Sequence, residues 1–259
     1  MKLVNSFCTL FTVLFIAQAA PAQDYKLTVE NSRAGKLTLS NFSNEMPIEG
    51  YSGNEIIITS DSKVQGIPER AKGLKAVYAA GTDNTGIGLY VEKKGSEITI
   101  QCLLPVTKRS NYKIKVPDNL ALNISSGCER GNSLVISNMK NEIEINNCNS
   151  VDLKNVSGPL VVSTISGSVD VVLTQVNKDK PTSIASVSGE VDVTLPANVA
   201  ANLEMSTISG NMYADFDLDT PNNSMKRVGG HAIKTKLNGG GGDLKISSIS
   251  GNIYLRKAK

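Results

Sequence analysis

The sequence contains no tryptophan, a single histidine and only 5% aromatic residues. With one histidine, His231, a zinc centre built on two or more histidines is excluded, and a Ser-His-Asp triad would have no spare base. No glycine loop followed by Lys-Ser is present to cradle a phosphate. The formal charge of +3, from 27 basic and 24 acidic residues, is too small to argue for nucleic acid or for steering toward an acidic surface. Long helical patterns are missing as well, which removes the α/β enzyme folds. The 22 glycines and the scarcity of rings fit a narrow interior filled by Val, Ile and Leu.

A short motif returns along the second half of the chain. Ile165-Ser166-Gly167 recurs as Val187-Ser188-Gly189, Ile208-Ser209-Gly210 and Ile249-Ser250-Gly251, with Val156-Ser157-Gly158 upstream. From Gly167 the steps are 22 residues to Gly189, 21 to Gly210 and 41, or two steps, to Gly251. A constant period of this size marks a solenoid. After each glycine the side chains alternate, as in Val169, Val171 and Leu173 or Val191, Val193 and Leu195, which is the period of a strand with one face buried. The predicted fold is therefore all-β, a right-handed parallel β-helix or solenoid with coils of about 20 to 22 residues. The motif is read as turn and core residues, its glycine allowing φ > 0 at a tight corner.

Residues 1–22 read as a secretory signal. Lys2 is followed by an apolar run from Phe7 to Ala20 and then by Ala20-Pro21-Ala22, so cleavage is expected before Gln23. The run is shorter than the roughly 20 residues of a spanning helix, and no transmembrane segment is expected in the mature chain. Residues 23–259 are expected to form one solenoid domain. Residues 61–115 are its less regular part, and 116–259 its regular coils, with an insertion around 218–243 leaning out of the wall. Gln23–Ser60 is expected to supply the first coils, and coils are expected to stack in chain order.

These repeats, the Val116-Pro117 entry to the regular part and the Gly35–Ser60 start resemble the bacterial putative adhesin family, envelope proteins of largely unknown function. A signal peptide ahead of such repeats resembles the exported members from Bacteroidetes. The resemblance implies a β-solenoid fold and an adhesin-like role, and it brings no catalytic residues and no cofactor.

The residues that could carry chemistry are few. Asp170 and Asp192 each lie three positions after a repeat glycine, hence outward on neighbouring coils, and the column continues with Tyr213 and Tyr254. Two such carboxylates could bind calcium or act on a glycosidic bond, and a sugar ring can stack on tyrosine. The pattern favours a binding strip for a glycan or an envelope protein over an active site. The alternatives are a polysaccharide-active enzyme on a parallel β-helix, and a subunit that assembles end to end if the coil ending at Leu255 is uncovered. Asn238–Asp243 resembles one calcium-binding β-roll repeat, but it is a single copy with Lys245 at an aliphatic position, which reads as a flexible turn. Cys128 and Cys148, 20 residues apart, should occupy equivalent places on adjacent coils, either bridged or as two stacked thiols, with Cys102 a buried free thiol.

Overall fold

The computed structural model describes residues 23–60, 69–75, 77–108, 110–218 and 231–259. The signal assigned to 1–22, and residues 219–230 of the expected insertion, lie outside the described residues. Strands dominate, as the alternation requires: Val169, Val171 and Leu173 are 0%, 2% and 2% exposed while Asp170 and Val172 between them face out.

Two ten-stranded sheets form the walls. The first has the order β1 (Gln23–Thr28), β4 (Glu55–Ser60), β9 (Tyr112–Pro117), β3 (Met46–Tyr51), β11 (Leu134–Ser137), β13 (Val151–Val156), β15 (Val169–Leu173), β17 (Val191–Leu195), β22 (Ile253–Lys257), β19 (Met212–Ala214). The second has the order β20 (His231–Leu237), β18 (Ala201–Thr207), β21 (Gly242–Ser248), β16 (Thr182–Ser186), β14 (Leu160–Thr164), β12 (Ile143–Asn147), β10 (Ala121–Ser125), β2 (Lys36–Ser40), β8 (Glu97–Cys102), β7 (Leu89–Lys94). A two-stranded ribbon, β5 (Val77–Tyr78) with β6 (Gly81–Thr82), stands apart. The inward residues of both walls belong to one hydrophobic cluster, which includes Leu37, Ile48, Ile100, Ile124, Ile145, Val193 and Ile246, each 1% exposed or less. Each such side chain contributes about 1.5–3 kcal/mol by leaving water. Positions paired between coils adjacent in both chain and stack lie from 17 residues apart (Leu134 with Val151) to 22 apart (Val169 with Val191).

Each coil is one strand of the second sheet followed by one of the first, and neighbouring coils pair in parallel. Their order is not the chain order. The coil β2–β3 lies between β8–β9 and β10–β11. The last coil, β21–β22, lies between β16–β17 and β18–β19. So Gln23–Ser60 supplies an internal coil and the two strands at one end of the first sheet, not a first layer: β4 runs antiparallel to β9, and β1, the edge, antiparallel to β4. Likewise the coil ending at Leu255 is covered on both sides, so it is not the uncovered terminal coil on which the end-to-end assembly reading rested. Antiparallel β7 and β20 are the outermost strands of the second sheet, and their exposed Lys93, Lys94, Lys234 and Lys236 are edge charges of the kind that discourages further strand addition. β20 also corrects the expected insertion: residues 231–237 lie in the wall beside β18 and do not lean out of it.

The repeat glycines do something other than adopt φ > 0. Positive φ occurs at Gly73, Gly81, Gly86, Gly88, Gly95, Gly131, Gly239 and Gly240, and none of these is a repeat glycine. At Gly189 a Cβ would stand 2.1 Å from the carbonyl oxygen of Gly167, and at Gly251 2.0 Å from that of Gly189. The corner needs glycine because stacked backbones approach too closely for a side chain. A buried hydroxyl three residues earlier stitches the same corner. Ser186 Oγ accepts from Gly189 N at 2.9 Å and donates to Gly167 O at 3.2 Å. Ser248 does the same with Gly251 N (2.8 Å) and Gly189 O (3.2 Å), and Thr207 with Gly210 N (3.0 Å) and Gly251 O (3.2 Å).

Candidate binding wall

Because the coils of the first sheet pair in register, equivalent outward positions form straight columns. Asp152 pairs with Asp170, Asp170 with Asp192, Asp192 with Tyr254, and Tyr254 with Tyr213. The four residues expected from the sequence thus share one row, with the tyrosines in inverted order because the last coil is internal. Asp152 and three flanking residues were not anticipated. Asp152 lies one position after Val151 in a coil without an ISG turn. Arg256 meets Asp192, and Asn252 and Tyr254 meet Glu190, only through the coil inversion.

Charges along the row are unevenly balanced. Arg256 Nε lies 2.9 and 2.8 Å from the two carboxylate oxygens of Asp192, an ion pair supplied by β22. Its guanidinium carbon stands 5.4 Å from the centre of the Tyr254 ring. Lys154 Nζ donates to Asp152 Oδ2 at 2.6 Å. Asp170, between these two pairs, makes no hydrogen bond or salt bridge with either cation. Burial of its carboxyl, and then the negative charges of Asp192, Asp152 and Glu190, push it above the usual carboxylate range, with Lys154 pulling the other way. The side-chain hydrogen bond and charge of Asp192 hold Arg256 up.

The tyrosines are fixed by one another. Their rings stack at 5.3 Å with an interplanar angle of 12°. Tyr254 OH donates to Glu190 Oε1 at 3.2 Å and accepts from Asn252 Nδ2 at 3.2 Å. Stacking along the solenoid axis spends the facing surfaces of both rings. A ligand lying on the wall therefore meets ring edges and hydroxyls, and Tyr213, 52% exposed, offers the more open ring.

Among the described residues no group of three His, Cys, Asp or Glu side chains is placed to hold a metal ion. The Asn238–Asp243 stretch is the turn between β20 and β21 together with the first two residues of β21, with Asn238, Gly239 and Gly240 at φ of 46°, 86° and 89°. Its Asp243 accepts from Asn202 Nδ2 at 3.0 Å, and Asn238 Nδ2 donates to Ala197 O and Val199 O. His231 opens β20 opposite Thr207. Cys128 and Cys148 are joined in a disulfide with Cα atoms 4.9 Å apart, tying the loop after β10 to the corner after β12. Cys102 is a buried free thiol, and burial pushes its pKa up.

A family model described as Toastrack DUF4097 matches residues 19–256. Among solved structures, a putative cell adhesion protein from Clostridium sporogenes is similar at 13% identity over 92% of this chain and 100% of that one, with a TM-score of 0.50. A putative adhesin from Bacteroides fragilis is similar at 13% identity, covering 92% and 97%, with a TM-score of 0.34. No curated protein matches the chain. At these identities the likeness to solved structures concerns the fold alone.

Proposed function

Since the chain belongs to the Toastrack DUF4097 family, we propose that it is an exported, non-enzymatic, adhesin-like protein of the cell envelope that binds a glycan or an envelope protein along its outer wall. The observation that carries this reading is the continuous outward row of Asp152, Asp170, Asp192, Tyr254 and Tyr213, held in place by in-register pairing. The name of the Clostridium sporogenes structure agrees with an adhesive role. The apolar run in residues 1–22 supports export, with cleavage before Gln23. No helix among the described residues is long and apolar enough to cross a membrane. The coils turn right-handed in this reading, the sense nearly all parallel crossovers take, and their length varies from 17 to 22 residues rather than holding to the expected 20 to 22.

The row suits recognition better than catalysis. Asp192 is committed to Arg256, and Asp170, although displaced upward, stands exposed on a wall where nothing excludes water from a reacting group. The test is a binding screen of the purified protein against arrayed glycans and cell-envelope fractions, run beside Asp170→Asn, Asp192→Asn and Tyr213→Ala. Binding that weakens in these variants supports the reading. Cleavage of a polysaccharide that disappears in Asp170→Asn while the fold persists would replace it with an enzyme.

A further inference from the structure

In four of the five copies of the repeated motif the hydrophobic residue does not enter the core; only Val156, 1% exposed, does. Ile165, Val187, Ile249 and Ile208 are 53%, 42%, 45% and 56% exposed. They follow one another along the stack, because Ser188 N donates to Ile165 O, Ser250 N to Val187 O and Ser209 N to Ile249 O. The result is a straight aliphatic ridge, three coil spacings or about 14 Å long, on the corner between the two walls. Isolated exposed aliphatics such as Leu74, Val77 and Val106 are ordinary on a protein surface. A column repeated in four coils is different, since the corner itself is already secured by the buried hydroxyl and the glycine of each turn.

What borders the ridge narrows what can cover it. The residue after each aliphatic is an exposed serine. On the other side, the outward column of the second sheet places Ser163, Ala185, Ser247 and Ser206 in register. The strip is thus an uncharged apolar line between two lines of small, mostly hydroxyl-bearing side chains. The area is far below the roughly 800 Å² per partner of a stable protein interface, so a second copy is not retained by it. An extended peptide would find no open backbone edge here, because the corner amides and carbonyls are spent on the coils above and below, and its own backbone groups would go unpaired. A lipid surface would meet no basic side chain on the strip and the acidic row of Asp152, Asp170 and Asp192 on the neighbouring wall.

We propose that this ridge binds a neutral polysaccharide laid along the solenoid axis, its apolar ring faces on Ile165, Val187, Ile249 and Ile208 and its hydroxyls on the flanking serines. The proposal takes from the preceding reading only the location in the envelope, and its residues are separate from the acidic and tyrosine row. Affinity electrophoresis in soluble xylan and amylose, and pull-down on insoluble chitin, cellulose and curdlan, test it with the purified protein. The expected result is retention by at least one of these polymers, weakened at least tenfold when all four residues are changed to Ser, with the melting temperature unchanged. Should the serine variant fail to fold, the Thr variant at all four positions keeps the β-branched shape and answers the same question. Leu74→Ser with Val77→Ser, at exposed aliphatics outside both the ridge and the acidic row, should leave this retention intact, which separates the ridge from general surface apolarity. Three outcomes would overturn the proposal: retention by none of the polymers, equal retention by the ridge variant, or a ridge-dependent flotation with phosphatidylcholine vesicles or dimerisation in place of polymer binding.

Discussion

Replacing Gly189 by alanine isolates the demand that close stacking makes on the repeat. The new Cβ would stand 2.1 Å from Gly167 O and 2.5 Å from its carbonyl carbon, backbone atoms that cannot rotate aside. The coil must lift by more than 1 Å at this corner to reach ordinary contact, which begins at 3.4 Å. Forced repacking of that kind costs about 1–3 kcal/mol. Lifting also strains the two bonds of Ser186, to Gly189 N and to Gly167 O, each worth about 1 kcal/mol. The loss of backbone freedom in the unfolded chain returns about 0.4–1 kcal/mol. We expect a net destabilisation of about 2–4 kcal/mol in urea unfolding followed by far-UV circular dichroism, with the slope of the transition checked for constancy. Gly95→Ala is the comparison, because that glycine has φ +61° and open space around it. Its cost is the left-handed penalty alone, about 1 kcal/mol after the same entropic return. A Gly189→Ala protein no less stable than Gly95→Ala would refute close approach as the reason for the repeat glycine.

Val193 is fully buried and Asp192 faces outward, so Val193→Asp should cost several kcal/mol and Asp192→Ala about 0–1 kcal/mol; equal thermal shifts would contradict the assigned faces. Because the folded-state pKa of Asp170 is raised, the native protein binds more protons than the unfolded chain between about pH 4 and that pKa, and wild-type stability falls as pH rises through this window. Asp170→Asn should therefore be more stable than wild type at pH 7 by about 0.2–1 kcal/mol, an advantage that vanishes below about pH 4. A constant difference from pH 3 to 8 would show that the facing carboxylates do not strain this position. Reducing the Cys128–Cys148 bridge, which spans 20 residues, should lower stability by about 3 kcal/mol, while Cys102 stays unalkylated until the protein unfolds. Denaturation midpoints with and without dithiothreitol, and mass mapping after iodoacetamide, measure the two effects.

The phase of the strands is written openly in the chain, because a period of two leaves little choice once Val169, Val171 and Leu173 recur as Val191, Val193 and Leu195. The outward column of Asp170, Asp192, Tyr254 and Tyr213 follows from the same phase. What escapes a linear reading is anything set by the neighbour above or below. Arg256 reaches Asp192 only because β22 pairs with β17, although β18 and β19 come first in the chain. The same holds for the glycines: a turn glycine suggests positive φ, whereas Gly189 is dictated by the carbonyl of Gly167 beneath it. The exposure of Ile165 and its equivalents was hidden for another reason. An aliphatic residue between a hydroxyl and a serine looks like core, and only the corner geometry turns it outward.

The internal position of the last coil bears on how the molecule comes apart under load. A pull on Lys259 is transmitted to β22, which is bonded on one side to β17 and on the other to β19. Two parallel ladders then resist in shear together, and neither can be peeled one bond at a time. At the amino-terminal side of the described residues β1 holds to β4 alone, as a sheet edge. An anchorage at the carboxyl end would thus carry tension into the body of the stack, whereas tension at the amino end would strip a single marginal strand.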